Sequence, residues 1–294
     1  MGEVDPEAVR NLLPELSVIP GHLIWRSAAR VTAALADTLP PGVDIHAYAA
    51  LLALATGQSR SQQWLADSVS ISRTTMAKVA SALVDQGLVE RVRNPDDRRS
   101  YALTRTPDGA AAARRWRRHA EDLEEALTVG FTEAEREELR GLLLRVAQPR
   151  LSPETPVALQ ESIAFLITRI HGWNHAELMT ALRDLDLEPR HTGSMVALRA
   201  TGPVAQAELA RQLGISGATV VEIVDHLERR GLVERRRLET DRRTQVLHLL
   251  PGAEAVVADA QGRAFAVTDR VLAPLGARQR RRLITLLQRF VTGE

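Results

Sequence analysis

Residues 83–91 read Leu-Val-Asp-Gln-Gly-Leu-Val-Glu-Arg, and Asp97-Arg98-Arg99 follows them closely in the chain. Gly87 is expected to end a helix, because a left-handed C-terminal position favours a residue without a Cβ. Leu88 and Val89 then begin a short strand. Upstream of Gly87, the apolar residues have the spacing of a helix with one buried face, namely Ile71, Met76, Val79, Ala80 and Leu83.

A β-hairpin with arginines near its tip is expected over residues 91–103. The stretch Asn94-Pro95-Asp96-Asp97 has the composition of a turn. Ser70-Ile71-Ser72 predicts a second turn ahead of the helix, with Ser72 as its N-cap. A helix-turn-helix followed by a basic hairpin is a winged helix-turn-helix, which suits one helix to a groove of DNA and the hairpin to the flanking backbone.

The same pattern occurs a second time. Gly231 lies 144 positions after Gly87 (231 − 87), and Asp241-Arg242-Arg243 has the same offset from Asp97-Arg98-Arg99. Between the copies, three prolines in residues 149–156 interrupt any helix. We therefore predict a first domain over 1–148, a linker over 149–157 and a second domain over 158–294.

The two copies resemble the core signature of the MarR family of bacterial transcriptional regulators. The first copy carries the resemblance in Leu65-Ala66, Ile71-Ser72, Leu83, Gly87-Leu88-Val89-Glu90-Arg91, Asp97-Arg98-Arg99 and Pro107-Asp108-Gly109. The second carries it in Gln206-Ala207-Glu208-Leu209-Ala210, Leu213-Gly214-Ile215-Ser216, Val220-Val221, Leu227 to Arg235, Asp241-Arg242-Arg243 and Pro251-Gly252. The resemblance covers nearly the whole chain.

The resemblance implies a mainly α fold with two winged helix-turn-helix lobes and small β-hairpin wings. Proteins of this family usually work as symmetric homodimers whose first and last helices pack together. In this chain we expect the terminal helices, roughly 14–35 with 110–146 and 160–181 with 253–291, to relate the lobes by pseudo-twofold symmetry within one molecule. Such a monomeric pseudo-dimer would place recognition elements about 34–36 Å apart. The alternative is a dimer of chains with four winged domains.

Composition predicts a soluble, cytoplasmic protein. Hydrophobic residues make up 45% of the 294 residues and charged residues 26%, which is typical of globular domains. The chain has no cysteine, which excludes disulfides and cysteine redox sensing. The longest apolar run, 47–55, is far shorter than the ~20 residues of a membrane span, and the acidic N-terminus is not a secretory signal.

The net charge of +1 gives little indication of a polyanion partner, but the cations are clustered locally. DNA affinity depends on the cations that meet phosphate, and nearly all of the cations here are arginines, which bind phosphate bidentately. The predicted DNA-binding residues are Ser72, Arg73, Thr74, Thr75, Lys78, Arg93, Arg98, Arg99, Ser216, Thr219, Arg236, Arg237, Arg242 and Arg243. The alternative is a solvated face on which the arginines pair with Glu90, Asp97, Glu234 and Asp241.

The two recognition helices differ in sequence. Arg73 could bind guanine with two hydrogen bonds, whereas its counterpart Gly217 could not. Glu222 stands where the first copy has Lys78, and it could accept from cytosine or repel phosphate. We expect an asymmetric operator, with the second lobe depending more on its arginine-rich wing. The alternative is that the second lobe has partly lost DNA binding.

Regulation by a small molecule is a further expectation from the resemblance, because family members often lose DNA affinity when a small aromatic compound binds near the dimerisation helices. The candidate ligand-binding residues are His22, Trp25, His46, Tyr48, His171, Trp173 and His191. The alternative for each is a plain core role. His171 and His175 could share a metal, but no third ligand is evident, and no metal site is predicted.

No pattern indicates an enzyme: the chain lacks a phosphate-binding loop, a nucleophile elbow and a zinc-protease motif. We expect no cofactor. The function predicted from the sequence is sequence-specific binding of double-stranded DNA by a transcriptional repressor that a small molecule releases. The alternative is a winged-helix module for protein–protein interaction in which one or both DNA readers are degenerate.

Overall fold

A computed structural model describes residues 13–38, 44–55, 58–93, 101–237 and 245–293. The described residues are mainly helical, with two small antiparallel sheets. A β-hairpin follows each helix-turn-helix, so the predicted fold class is confirmed. Within these ranges, every helix is too short or too polar to span a bilayer.

The first half of the chain contains one winged helix-turn-helix. Its elements are α1 (Pro14–Ser17), α2 (Pro20–Thr38), α3 (Ile45–Ala53), α4 (Gln62–Ser68), α5 (Arg73–Asp85), β1 (Val89–Arg93), β2 (Tyr101–Arg105), α6 (Pro107–Leu127) and α7 (Glu133–Ala147).

The second half repeats this order after a 3₁₀ turn at Gln148–Arg150. Its elements are α8 (Val157–Gln160), α9 (Ile163–Ala181), a 3₁₀ turn (Arg183–Leu185), α10 (Pro189–Thr201), β3 (Val204–Ala205), α11 (Gln206–Leu213), α12 (Gly217–Arg229), β4 (Val233–Arg237), β5 (Gln245–Leu249), α13 (Ala253–Val271) and α14 (Ala277–Thr292).

The first helix is shorter than the sequence pattern predicted. The expected single helix from Pro14 to Leu35 is divided into α1 and α2. The division falls at Val18 and Ile19, directly before Pro20. Proline has no backbone N–H to donate within a helix and is favoured at a helix start, so the apolar period continues through the break while the helix does not.

Serine side chains start both helices of the first helix-turn-helix. The Ser61 hydroxyl accepts from the Trp64 N–H at 3.1 Å, and the Ser72 hydroxyl accepts from the Thr75 N–H at 3.0 Å. The predicted N-cap at Ser72 is therefore confirmed. Gly87, with φ of 69°, follows α5 in the left-handed region that its position requires.

The wings are short antiparallel hairpins. In the first, β1 pairs with β2 from Val89 opposite Arg105 to Arg93 opposite Tyr101. In the second, β4 pairs with β5, and β3 adds a third strand. The expected hairpin tips at 94–100 and 238–244 lie outside the described residues.

The chain forms two compact units, each of which combines segments from both halves of the sequence. Unit 1 contains residues 1–33, 130–135 and 170–294, and unit 2 contains residues 34–129 and 136–169. The predicted domains, 1–148 and 158–294, follow the sequence repeat and do not coincide with these units. Their boundaries stay a prediction.

The core of unit 1 includes a residue from the start of the chain. Leu16 is buried among the residues of α10 to α13. The Ser17 carbonyl accepts from Gln288 Nε2 at 2.9 Å, and the Arg30 guanidinium lies 5.0 Å from the Phe290 ring centroid. The segment around Leu16 thus packs in unit 1, which contains the second winged helix domain.

Unit 2 shows the converse arrangement. Leu159, from the second half, is buried in the core formed by α3 to α6. On α6, Glu124 Oε1 accepts from the Ser162 hydroxyl at 2.5 Å and from the Ala164 N–H at 3.1 Å. Glu124 Oε2 accepts from the Ile163 N–H at 3.1 Å. A carboxylate of the first half therefore caps the first long helix of the second half.

Burial of Glu124 raises the pKa of its carboxyl group, although the hydrogen bonds from Ser162, Ala164 and Ile163 act in the opposite direction. The capped end of α9 is thus anchored in unit 2 by a desolvated side chain that has partners for both of its oxygens.

Gly109, in the first turn of α6, is a close packing point between this helix and the start of the wing. A Cβ at this position would lie 2.0 Å from the Leu88 carbonyl oxygen, whereas a Cβ at Gly141 on α7 would meet nothing within 4 Å. We expect Gly109→Ala to lower the free energy of unfolding by roughly 1–3 kcal/mol. Gly141→Ala should leave it unchanged or raise it by up to about 1 kcal/mol. Urea unfolding of both variants measures this, and equal stabilities would contradict the contact.

Candidate nucleic-acid interface

Helix α5 has an exposed basic face and, opposite to it, a buried apolar face. Arg73, Thr74 and Lys78 are exposed. The opposite face is buried through Met76, Val79, Ala80 and Leu83. Because the apolar face is held in the core, the predicted DNA-binding side chains at the start of α5 point away from it, as a recognition helix requires.

The predicted contacts Ser72 and Thr75 already have a structural role. Besides the cap, the Ser72 and Thr75 hydroxyls lie 2.8 Å apart. Ser216 and Thr219 repeat both features at α12, with 3.1 Å for the cap and 2.8 Å between hydroxyls. These residues fix the start of each recognition helix, and a contact with DNA would be additional to that role.

Helix α12 presents a different surface. Gly217, Ala218 and Val221 are exposed where α5 has Arg73, Thr74 and Ala77, and Val221 is 44% exposed. Glu222 replaces Lys78, and its carboxylate lies 3.3 Å from the Arg190 guanidinium of α10. The expected availability of Glu222 to a base or a phosphate is therefore reduced by an ion pair.

The wings differ in how they use one arginine. In β4, the Arg235 guanidinium forms ion pairs with Glu228 and, at 2.6 Å, with Asp225. Both carboxylates lie on α12, so Arg235 connects the wing to the recognition helix. In the first repeat, Val84 and Ser81 stand where the second has Glu228 and Asp225. The counterpart of Arg235, Arg91, therefore has no carboxylate at either position, and it is exposed.

The other predicted wing residues are only partly described. Arg93 is exposed at the end of β1, and Arg237 is exposed at the end of β4. Arg236 forms an ion pair with Glu234. The tip residues Arg98, Arg99, Arg242 and Arg243 lie outside the described residues. The second wing thus commits Arg235 and Arg236 to neighbouring carboxylates, which weakens the expectation that this wing compensates for its recognition helix.

The candidate ligand residues fall in both compact units. His22 and Trp25 lie on α2 in unit 1, with ring centroids 5.5 Å apart. Burial, with the neighbouring Arg26 charge, lowers the pKa of His22 to about 3. The His22 Nε2 and Gln212 Oε1 atoms are buried without a hydrogen-bond partner among the described residues. Arg26 is near both residues, because its guanidinium donates to the Gln212 backbone carbonyl and its charge lowers the pKa of His22.

His191 has a defined structural role. Its Nδ1 accepts from the Glu188 N–H at 3.0 Å at the start of α10. Its ring stacks on that of His226 with centroids 4.2 Å apart, and burial lowers the pKa of His191 to about 4. His226 lies on α12 and donates to the Asp186 carbonyl at 2.8 Å. His191 therefore supports the recognition helix, and its predicted ligand contact stays a prediction.

His171 and Trp173 lie on α9 in unit 1, and the His171 and His175 ring centroids are 5.8 Å apart. Burial, with His175 nearby, lowers the pKa of His171 to about 4. Across the described ranges, no group of three potential ligands is arranged to hold a metal.

His46 and Tyr48 lie on α3 in unit 2. Burial lowers the pKa of His46, with an opposing effect of Asp44 and a further lowering by Arg169. Burial raises the pKa of Tyr48. The structure therefore groups His22 and Trp25 with unit 1 and His46 and Tyr48 with unit 2, although all four come from the first repeat.

Arg26 in unit 1 and Arg169 in unit 2 were not among the residues predicted from the sequence. The Arg26 guanidinium donates to the Gln212 carbonyl at 3.3 Å, and the Arg169 guanidinium donates to the Ser70 carbonyl at 2.5 Å. An indication was available, because both first helices contain Ile-X-Arg, at residues 24–26 and 167–169.

Comparisons with known proteins show which family the chain resembles. The family model described as MarR family matches residues 42–100 and 185–244. A protein of Thauera aromatica described as a transcriptional regulatory protein for the hcr operon is 33% identical over 124 residues, which cover 42% of this chain and 74% of that protein. The HTH-type transcriptional repressor NicR of Pseudomonas putida is 25% identical over 140 residues, which cover 48% of this chain and 89% of NicR.

Among solved structures, a probable transcriptional regulator from Pseudomonas aeruginosa is 27% identical, with a TM-score of 0.42, and the match covers 45% of this chain and 98% of that one. The identity and coverage of the Thauera aromatica relative, together with a family match in each half of the sequence, show that this chain belongs to the MarR family.

Proposed function

We propose that this chain binds double-stranded DNA sequence-specifically as a transcriptional repressor, with two unequal recognition helices in one polypeptide. The observation that carries the proposal is the exposed basic face of α5. Arg73, Thr74 and Lys78 are all exposed there, and β1, the first strand of the adjoining wing, bears further arginines. A groove-facing helix and a flanking cationic hairpin match the base edges and the phosphates of a duplex.

Asymmetry of the operator follows from the charges on the two recognition helices. Helix α5 offers Arg73 and Lys78 at positions where α12 has Gly217 and Glu222. Arg73 suits guanine, which accepts two hydrogen bonds in the major groove. The exposed Ala218 and Val221 on α12 suit apolar contact, such as with a thymine methyl group. We infer that the first domain supplies most of the polar base contacts.

Reciprocal charge changes test this asymmetry. Lys78→Glu should weaken binding to all duplexes and make the salt dependence shallower by about one unit of log Kd per log salt concentration, because one phosphate contact is lost. Glu222→Lys should strengthen binding and make that dependence steeper by about the same amount. Fluorescence anisotropy with a labelled duplex over a range of salt concentrations measures both.

Glu125→Lys, on the exposed side of α6, is the matched control, since it makes the same charge change outside the proposed interface. If Glu125→Lys had the same effect as Glu222→Lys, net charge rather than the recognition helix would explain the result. If neither Lys78→Glu nor Glu222→Lys changed duplex binding, the proposed interface would be wrong.

A small aromatic ligand is proposed to bind beside His22 and Trp25 in unit 1 and to release the DNA. The buried His22 Nε2 atom, which has no hydrogen-bond partner in the part of the chain that the structure describes, supports this, because a buried polar group without a partner costs free energy that a ligand could recover. The Trp25 ring beside His22 provides an aromatic surface.

Benzoate and phenol, as anionic and neutral probes, test this ligand site. At least one of them should raise the Tm of the protein and lower its affinity for a duplex, since binding to the folded state stabilises it. The effect should be lost in His22→Ala and retained in His119→Ala, which removes a half-buried histidine on α6 in unit 2. A Tm increase of equal size in both variants would place the ligand elsewhere.

The neutral state of His22 also predicts a pH dependence of stability. The pKa of His22 is lowered in the folded state from 6.5 to about 3, so the unfolded chain binds more protons below pH 6.5. The free energy of unfolding should therefore fall as pH decreases from 7 to 5, and His22 should contribute about 2 kcal/mol to that decrease.

Urea unfolding at both pH values measures this contribution. His22→Phe should reduce the decrease by about that amount, whereas His119→Phe tests whether a new phenylalanine alone has this effect. An unchanged decrease in His22→Phe would show that His22 is not held neutral.

A further inference from the structure

Two arginines, one buried and one half-buried, connect the first long helix in each half of the sequence to the helix-turn-helix of the other half. Arg26 of α2 is 0% exposed, and its Nη1 donates to the carbonyl of Gln212, near the end of α11. Arg169 of α9 donates from Nη1 to the carbonyl of Ser70, in the turn two residues after α4. Arg26 belongs to the first repeat and its acceptor to the second, whereas Arg169 and its acceptor have the reverse origin.

The two acceptor carbonyls lie in the same region of the two helix-turn-helix motifs, two positions apart in the repeat. Gln212 is in the last turn of α11, where the last carbonyls have no partner within the helix and the helix dipole is negative. Ser70 is in the turn itself, two residues after the end of α4. The turn that follows leads directly to Ser72 or Ser216, the caps of the recognition helices. A donor to the end of the first helix or to the turn therefore helps to set the direction in which the recognition helix starts.

Backbone geometry shows why the first turn needs such a contact. Ser70 and Gly214 are repeat counterparts, with φ values of 52° and 65°. Glycine adopts this left-handed conformation easily, whereas a serine does so at a cost in free energy. In the first motif the strained residue is also the one whose carbonyl Arg169 binds at 2.5 Å, so the contact stabilises the conformation that the sequence disfavours.

The arginines suit a permanent structural contact. Burial lowers the pKa of both Arg26 and Arg169 to about 10, so both remain charged at neutral pH. Arg169 also lies 5.5 Å from the Phe165 ring centroid. A charged donor to a carbonyl in a desolvated place forms a stronger hydrogen bond than a neutral one.

We propose that Arg26 and Arg169 are positioning residues that act across the repeat, so that the recognition helix of each half is oriented by the first long helix of the other half. This inference rests on the proposed DNA-binding function. It predicts that the loss of Arg169 impairs base recognition by α5, in the first half, although Arg169 itself lies in the second half.

A double-mutant cycle in the full chain tests this crossed dependence. In the wild-type background, Arg73→Ala should weaken binding to the preferred duplex by about tenfold, the value of one good base contact. In an Arg169→Met background, the same change should have an effect of about threefold or less, because α5 is no longer held in register. In an Arg26→Met background, Arg73→Ala should retain its full effect. Arg26→Met is the matched control, since it removes a buried arginine with the same kind of acceptor.

Hydrogen exchange of the free protein provides a readout that does not depend on DNA. Arg169→Met should accelerate amide exchange in peptides spanning residues 66–76, with no change in those spanning 210–220. Arg26→Met should have the opposite pattern. Arg169→Lys, which keeps one charged donor, should restore part of the protection. It also keeps the test possible if the Arg169→Met variant does not fold.

Equal acceleration of both peptides in either variant would indicate general destabilisation and overturn the inference. Retention of the full Arg73→Ala effect in the Arg169→Met background would overturn it as well. If the wild-type protein bound no duplex, the proposed function would fail, and the exchange pattern would still decide whether the crossed contacts hold the two turns.

Discussion

The structure depends on an exchange of helical segments between the two halves of the sequence. Leu16, from the start of the chain, is buried in the core of unit 1, and Leu159, from the second half, is buried in the core of unit 2. A core that needs an apolar side chain from a distant segment is complete only when that segment is in place. The free energy that stabilises each winged helix domain therefore includes contacts with a segment from the other repeat.

Fusion of two similar domains allows them to diverge, because a single mutation no longer changes both copies as it would in a homodimer. The divergence is most visible in electrostatics. Arg235 forms ion pairs with Glu228 and Asp225, whereas the first repeat has the uncharged Val84 and Ser81 at the corresponding positions. In the second wing, Arg235 and Arg236 are paired with carboxylates. In the first wing, Arg91 and Arg93 are exposed, where they are available to a polyanion.

Much of the fold could be predicted from the sequence, because the repeated helix, glycine and strand pattern depends on local chemistry. Ser72 as an N-cap and Gly87 in a left-handed conformation are both determined by neighbouring residues. The break before Pro20 was missed because the apolar period continued through it. The exchange of segments, the Glu124 cap on α9 and the contacts of Arg26 and Arg169 join residues far apart in sequence, and a single sequence does not indicate which distant groups meet. The same limit applies to Glu222, whose partner Arg190 is on another helix.

One polypeptide is proposed to present two unequal readers of duplex DNA. Selection of the preferred sequence from a random duplex pool by the purified full chain decides whether the readers are unequal. We expect a site with one strongly specified half, containing a guanine, and one weakly specified half. A symmetric palindrome with equally specified halves, or no sequence preference at all, would contradict it.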